Sequence, residues 1–295
     1  MKDRTFFNNS LILLRRGSGE KNIVFIHDGS GEIIQYINFC KDIAKEYNIY
    51  GIRYDASSMT YAPKIHDISD IANKYIGYLN EIGVTEVYLI VGYCIGGKIA
   101  YEMCTKSKGI VPYLVLLNAI PPNQKRERNT FTLEEEKVFF RKTGIPFKTN
   151  RTIINTTEDL WRIFSKFLVR HKLIFWFIKK KMPIYMKNLI MKMHIDKDGE
   201  QVIKYLSLVR GFEETHYNYI IPARKINTLI YYFNAVDEEI KNYKEWTYFA
   251  RETYFFDIKS DHIGLIAPEN VKYMANNILG EIWANNEIGS EATIN

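Results

Sequence analysis

The sequence predicts an α/β protein with a mostly parallel central sheet, flanked by helices and interrupted by a helical insertion. Over the first 120 residues, short β-branched runs alternate with amphipathic runs, a pattern typical of strand–helix–strand units with parallel strands. The same alternation returns after residue 220, and the stretch between is helical in pattern. With 46% hydrophobic and 25% charged residues, a chain of 295 residues can bury a core of this size.

The individual elements follow from these runs. We expect the core to comprise residues 1–131 and 220–295, and the helical insertion at 132–219 to form a lid. The predicted strands are Ile23–Ile26, Ile49–Ile52, Val87–Val91, Tyr113–Leu117, Thr228–Phe233 and Thr253–Asp257. The predicted helices are Ile33–Lys45, Ile68–Ile82, Lys98–Thr105, Leu133–Thr143, Glu158–Arg170, Gln201–Phe212 and Pro268–Trp283.

Cysteine usage and hydropathy narrow the class of protein. Three cysteines, Cys40, Cys94 and Cys104, are an odd number and match no zinc-binding spacing. The N-terminus lacks the apolar run of a signal peptide. The most apolar stretch, residues 164–186, contains seven Lys, Arg and His residues and is too interrupted for a membrane span. The sequence therefore predicts a cytoplasmic protein that has no membrane segment and no metal site.

The charge of the chain is unevenly distributed. The net charge is +6, yet residues 121–224 hold 21 Lys and Arg against 11 Asp and Glu. A basic segment on a near-neutral body indicates an acidic partner. Its lysines lie among Leu, Ile, Phe and Trp at helical spacing, which does not favour nucleic acid. Amphipathic helices with solvated basic faces explain the charge equally well.

The motif Gly92-Tyr-Cys-Ile-Gly-Gly97 follows a predicted strand and opens a predicted helix. This is the G-x-S-x-G nucleophile elbow of the α/β-hydrolase fold, with Cys94 in place of serine. The helix N-terminus beneath the sulfur favours the thiolate. The alternative is a structural cysteine in a glycine turn. Cys104 fits a helix interior and Cys40 a helix face, and both are predicted to be inert packing residues.

An oxyanion hole needs two backbone N–H donors. One is predicted at Ile95, directly after the nucleophile. The other belongs to the turn His27–Gly31 after the first parallel strand, where Gly29 lets a ligand approach the backbone. His27 opens this turn, and a place in the pocket and a structural role are both open to it.

The general base is expected after the last strand. His262, in Ser260-Asp-His-Ile-Gly264, is the histidine with that position and a turn around it. Two residues compete for the orienting third member: Asn118, after the strand that follows the elbow, and Asp237, after the next strand. We favour Asn118, because asparagine can accept the ring N–H and suits a cysteine nucleophile better than a serine.

These motifs resemble the thioesterase domains of nonribosomal peptide and polyketide synthases almost end to end. The similarity rests on Leu11–Gly17 with Ile23–Glu32, on Val91–Met103, on Leu114–Pro122 and on Asp261-His262. Two departures stand out. That family usually has serine where this chain has Cys94, and aspartate where it has Asn118, so either Asn118 replaces the acid directly or Asp237 takes its role from the neighbouring strand.

The resemblance implies an enzyme that takes acyl or peptidyl chains from phosphopantetheine on an acidic carrier protein. The chain itself would bind no cofactor, and the basic insertion would meet the carrier. Release would occur by transfer to a small-molecule amine or hydroxyl, including cyclisation, or by hydrolysis. Cysteine at the elbow also resembles polyhydroxyalkanoate synthases and dienelactone hydrolases. A catalytically inactive module that only binds a carrier is the alternative from another class.

Overall fold

A computed structural model describes residues 5–107, 111–122, 131–142, 154–170, 199–220, 224–238 and 240–276. Its contacts divide the chain into two compact units. The first comprises Met1–Tyr54, Ile68–Pro122 and Ile221–Asn295, and the second comprises Asp55–Asp67 and Asn123–Ile220.

Residues 55–67 cluster with the second unit, although the sequence pattern assigned them to the core. Two contacts explain this. The side chain of Thr215 accepts a hydrogen bond from the backbone N–H of His66 at 2.7 Å. The backbone of Lys64 lies so close to Gly211 that a side chain there would overlap it. Residues 55–67 can pack against this helix because Gly211 has no Cβ. Hydrophobic periodicity in the sequence does not reveal a contact of this kind.

In the first unit, eight strands of the described chain form one sheet in the order β1-β2-β4-β3-β5-β6-β7-β8. The pairs β1·β2 and β2·β4 are antiparallel and the other five are parallel, as predicted for a mostly parallel sheet. The strands are β1 (Thr5–Phe6), β2 (Leu11–Arg15), β3 (Asn22–Ile26), β4 (Asn48–Ile52), β5 (Leu89–Tyr93), β6 (Tyr113–Leu117), β7 (Ile226–Ala235) and β8 (Ala250–Ile258).

The central strands β3, β5 and β6 are buried along almost their whole length, which their continuous apolar sequences predict for strands covered on both faces. The helices of this unit are α1 (Phe39–Asp42), α2 (Ile68–Glu81), α3 (Ile95–Lys106) and α7 at residues 268–276. Parallel strands end at one edge of the sheet, so the loops after β3, β5, β6 and β7 meet there.

The predicted helix Ile33–Lys45 was wrong as a single helix. A 3-10 turn at Ile34–Ile37 is followed by the short α1, and the chain becomes extended at Ile43. The guanidinium of Arg15 donates hydrogen bonds to the carbonyls of Cys40 and Ile43 at 2.7 and 2.8 Å. A cation reaching over from β2 thus satisfies the carbonyls at the end of a short helix, which amphipathic spacing does not reveal.

The described residues of the second unit are mostly helical, whereas the bounds of the insertion and its role as a lid stay predictions. Its helices are α4 (Leu133–Lys142), α5 (Thr157–Arg170) and α6 (Gly199–Asn218). They pack around an apolar cluster that contains Trp161, Phe164 and Phe140. The lysines at 179–181, part of the basic charge, lie outside the described residues. Among the described helices, none combines the length and the apolar composition that a bilayer crossing requires.

Candidate active site

The elbow lies between β5 and α3. Cys94 follows the last residue of β5 and has φ 57° and ψ −126°, and α3 begins at Ile95. Its backbone N–H donates to the Leu117 carbonyl at 3.1 Å, and its side chain is half-buried and outside any disulfide. A side-chain-bearing residue at positive φ is strained, and such strain is typical of functional turns.

Two glycines allow this turn to form. A Cβ on Gly92 would overlap the carbonyl of Gly96, and a Cβ on Gly96 would overlap the carbonyl of His27. Glycine is therefore required at both positions by close approach of backbone to backbone. The second contact also shows that the elbow packs directly on the loop after β3.

The predicted oxyanion residues are neighbours. A Cβ built on Gly29 would lie 3.9 Å from the side chain of Ile95, at ordinary contact distance. The loop is shaped by Asp28, whose carboxylate accepts hydrogen bonds from the backbone N–H of Ser30 at 2.8 Å and from its hydroxyl. Burial raises the pKa of Asp28 from 3.8 to about 6, against the stabilising effect of these hydrogen bonds.

His27 has a structural environment. Its side chain is completely buried. One ring nitrogen, Nδ1, lies 2.7 Å from the Asp28 carbonyl, and Nε2 lies 2.6 Å from the hydroxyl of Tyr75 on α2. Of the two roles left open by the sequence, the contacts favour the structural one, since both nitrogens are engaged in holding the loop.

Asn118 and His262 are brought together. Asn118 follows β6 at φ 42°, is 1% exposed, and its Nδ2 lies 2.8 Å from Nδ1 of His262. The backbone N–H of Ala235 donates to Oδ1 of Asn118 at 3.3 Å. The structure thus directs the amide nitrogen toward the ring, whereas we expected the amide oxygen there. The Ala235 N–H is the reason, because it already occupies the oxygen.

The ring of His262 rests on Tyr93, the residue before the nucleophile. Their ring centroids are 4.6 Å apart at an interplanar angle of 26°, and the Tyr93 hydroxyl donates to the His262 carbonyl at 2.8 Å. Burial lowers the pKa of His262, while Glu238 and Asp261 oppose that effect. In the described part of the chain, Asn118 and Tyr93 hold the ring; its pairing with the Cys94 sulfur stays a prediction.

Sequence reasoning missed Tyr93 and Glu238. The carboxylate of Glu238 accepts the backbone N–H of His262 at 3.1 Å. The alternative third member, Asp237, has an exposed side chain, and its backbone N–H donates to the Ser260 carbonyl at 3.1 Å. Both residues lie in a 3-10 turn at Val236–Glu238, and within it the side chain of Glu238, not that of Asp237, contacts the loop of His262. The sequence did point to this segment, because an acidic residue after β7 was a candidate to contact the histidine. It did not show that the residue would be Glu238.

Among the described residues, no group of three or more His, Cys, Asp or Glu side chains is arranged to hold a metal ion. The site instead combines a cysteine in a strained strand-to-helix turn, a glycine loop packed on that turn, and a histidine held by an amide. This strand–turn–helix arrangement, on a mostly parallel sheet, defines an α/β-hydrolase fold.

Comparison with known proteins shows which family of α/β-hydrolase-fold proteins this sequence is similar to. The model of the family described as "Thioesterase domain" matches residues 21–165, which include the elbow. The match confirms the predicted resemblance of this segment to thioesterase domains. The chain spans between 5% and 12% of the length of the curated relatives that it matches.

Three relatives illustrate the match. The polyketide synthase PksR of Bacillus subtilis (strain 168) is 27% identical over 133 residues, covering 44% of this chain and 5% of that protein. A solved four-domain nonribosomal peptide synthetase, holo-AB3403, has TM-score 0.66 at 18% identity over 92% of this chain and 20% of its own. The Vlm2 thioesterase domain with a bound dodecadepsipeptide has TM-score 0.60 at 19% identity, covering 91% and 96%. The structural matches establish the fold.

Proposed function

We propose that this chain is a thioesterase or acyltransferase in which Cys94 accepts an acyl or peptidyl group from phosphopantetheine on a carrier protein. The observation that carries the proposal is the position of Cys94, at φ 57° between β5 and α3. A turn of this kind presents its side chain at the strand edge, above the N-terminus of a 12-residue helix.

The chemistry of sulfur fits such a substrate. A thiolate that attacks a thioester exchanges one thioester for another, so the acyl group keeps its reactivity for a second transfer. Of the other cysteines, burial raises the pKa of Cys104 well above its ordinary value, which disfavours its thiolate. Of these two cysteines, Cys94 has the environment that suits a nucleophile.

The surrounding residues have roles in the same proposal. Backbone N–H groups of Ile95 and Gly29 would stabilise the oxyanion of the tetrahedral intermediate, and the closeness of Gly29 to the Ile95 side chain supports this pair. His262 would face the sulfur and the incoming acceptor, and Asn118 would position its ring. Asp237 is the weaker candidate for the third member, since its side chain is exposed.

A carrier protein is the proposed partner, and phosphopantetheine enters with it as part of the substrate. The excess of Lys and Arg over residues 121–224 complements an acidic partner. The relatives that carry a matching segment include a polyketide synthase and a nonribosomal peptide synthetase, which supports such a substrate. A small-molecule amine or hydroxyl, or water, would then take the acyl group from Cys94.

The test is covalent capture of the acyl group. Incubation with acetyl-pantetheine, followed by intact-protein and peptide mass spectrometry, should place one acetyl group on Cys94. Cys94→Ala should abolish it and reduce turnover by at least about 10³-fold. The small change in a turn should leave the melting temperature nearly unchanged.

Cys104→Ala is the matched control and should be acylated like the wild type. Label on Cys40 or Cys104, or near-normal turnover by Cys94→Ala, would refute the mechanism. A folded wild type that binds a carrier but never becomes acylated would support the binding module instead.

A further inference from the structure

We propose that Asn118 fixes the proton of His262 on Nε2, and that the site consequently delivers its acyl group to amines in preference to water. The inference rests on the proposed function in one respect, the acyl-Cys94 intermediate. It begins from a feature that the function does not require: the amide of Asn118 turns its nitrogen, not its oxygen, toward the ring.

Two backbone groups determine which way that amide faces. The N–H of Ala235 on β7 can only donate, and it lies 3.3 Å from Oδ1. The carbonyl of Glu238 can only accept, and it lies 3.5 Å from Nδ2. Rotating the amide by 180° would set donor against donor and acceptor against acceptor, in a side chain that is 1% exposed. Leaving such buried groups unsatisfied costs about 1–3 kcal/mol each.

The orientation of the amide decides the state of the imidazole. Nδ2 of Asn118 is a donor, so Nδ1 of His262 at 2.8 Å must accept and carries no proton. The neutral ring then holds its proton on Nε2. An imidazolium would direct a second N–H at the amide, and the burial that lowers the pKa of His262 acts in the same direction.

Loading of Cys94 needs no proton transfer to His262 once the thiol has lost its proton to solvent, which the N-terminus of α3 favours. The thiolate attacks the thioester carbonyl, a new carbon–sulfur bond forms, and the pantetheine sulfur leaves as a thiolate with the electron pair of the broken bond. The N–H groups of the oxyanion hole carry the transient charge. A ring with its proton on Nε2 is no obstacle to this step, because it can donate a hydrogen bond to the thiolate.

The release of the acyl group from Cys94 makes different demands on amines and on water or alcohols. A free-base amine attacks with its own lone pair, Cys94 leaves as thiolate, and the proton of the resulting ammonium passes to solvent. Water or an alcohol must instead lose its proton to a base as it attacks. Nε2 already bears a proton and offers no lone pair, so His262 in this state cannot serve. The carboxylate common in the family would hold the opposite tautomer, with Nε2 free.

The experiment compares wild type with Asn118→Asp, a substitution of nearly the same shape. Both are given acetyl-pantetheine with and without glycinamide, and free acetate and acetylglycinamide are quantified. In the wild type we expect amide to dominate whenever glycinamide is present. In Asn118→Asp we expect the ratio of acetate to amide to rise by at least about tenfold, because aspartate accepts Nδ1–H and frees Nε2.

¹⁵N chemical shifts of His262 in the wild type read the tautomer without any turnover. A protonated Nε2 with a bare Nδ1 is expected, and a protonated Nδ1 would overturn the inference even if the variant failed to fold. An unchanged ratio of products in folded Asn118→Asp would also overturn it, while acetyl-Cys94 in both proteins would leave the proposed function standing. Absence of acetyl-Cys94 in the wild type would refute both that function and the acceptor preference.

Discussion

Two carboxyl groups with raised pKa values, Glu136 in the second unit and the half-buried Asp28 in the first, have opposite surroundings. Glu136 in the second unit is 1% exposed; it accepts the indole N–H of Trp161 and the Nε–H of Arg210, each at 2.9 Å. Arg210 also bonds Glu213 at 2.6 Å and lies over the ring of Phe131. Asp28 in the first unit receives its hydrogen bonds from the neutral groups of Ser30.

Burial raises the pKa of both groups, but for Glu136 a cation and two hydrogen bonds oppose it. A buried carboxylate such as Glu136, with hydrogen bonds and a cation to satisfy it, contributes to the packing of helices and has a structural role. The carboxylate of Asp28 has only the neutral donors of Ser30 to oppose desolvation, so its ionised form is disfavoured, and perturbed pKa values of this kind are common at functional sites. His262, with its lowered pKa, lies in a loop at the same edge of the sheet as Asp28.

The largest expected stability effect belongs to the second unit. Arg210→Met should lower the free energy of unfolding by about 3–5 kcal/mol, because it leaves the carboxylate of Glu136 buried without its cation. Chemical denaturation of wild type and variant measures this. Lys137→Met, which removes an exposed ion pair with Glu134 on the same helix, is the control and should change little. A loss below about 1 kcal/mol for Arg210→Met would show that the pair is not what holds these helices.

A smaller, pH-dependent effect is expected at Asp28. Its pKa is raised on folding, so its contribution is favourable at low pH and is lost as pH rises through about 6. Asp28→Asn should therefore stabilise the protein at pH 8 by about 1–2 kcal/mol relative to pH 4, measured as the change in variant minus wild type. Glu20→Gln, at an exposed carboxylate, should show no such slope. A pH-independent difference for Asp28→Asn would contradict the comparison.

The smallest effect is expected at Glu238. Glu238→Gln keeps an oxygen that can accept the backbone N–H of His262 but removes the charge that raises its pKa. The pKa of His262, followed by NMR titration, should fall further below its ordinary range, and turnover at pH 8 should change by less than about threefold. Asp237→Asn, whose side chain is exposed next to it, should leave the titration unchanged. A rise in the pKa of His262 in Glu238→Gln would refute this assignment.

The sequence by itself predicted the mostly parallel sheet and the strand-to-helix turn at Cys94, and it selected His262 as the candidate base. Glycine at 92 and 96 is a steric necessity of a strand-to-helix turn, so Cys94 could be located without coordinates. Continuous apolar runs specify buried parallel strands, and parallel strands place the loops of Cys94, Asn118 and His262 at one edge. These are local rules of backbone geometry and burial, which a single chain segment already expresses.

Tertiary structure alone decided how the partners pair. Ala235 and Glu238, more than a hundred residues after Asn118, set the orientation of its amide, from which we inferred the position of the proton on His262. Arg15 binds carbonyls at the end of α1, where the amphipathic spacing had predicted that the helix continues to Lys45. Hydrogen bonds are directional over tenths of an ångström, whereas hydrophobic patterns specify only which face of an element is buried. Candidate residues for the site can thus be selected from the sequence, but which atoms of Asn118 and His262 face each other depends on groups that only folding brings near.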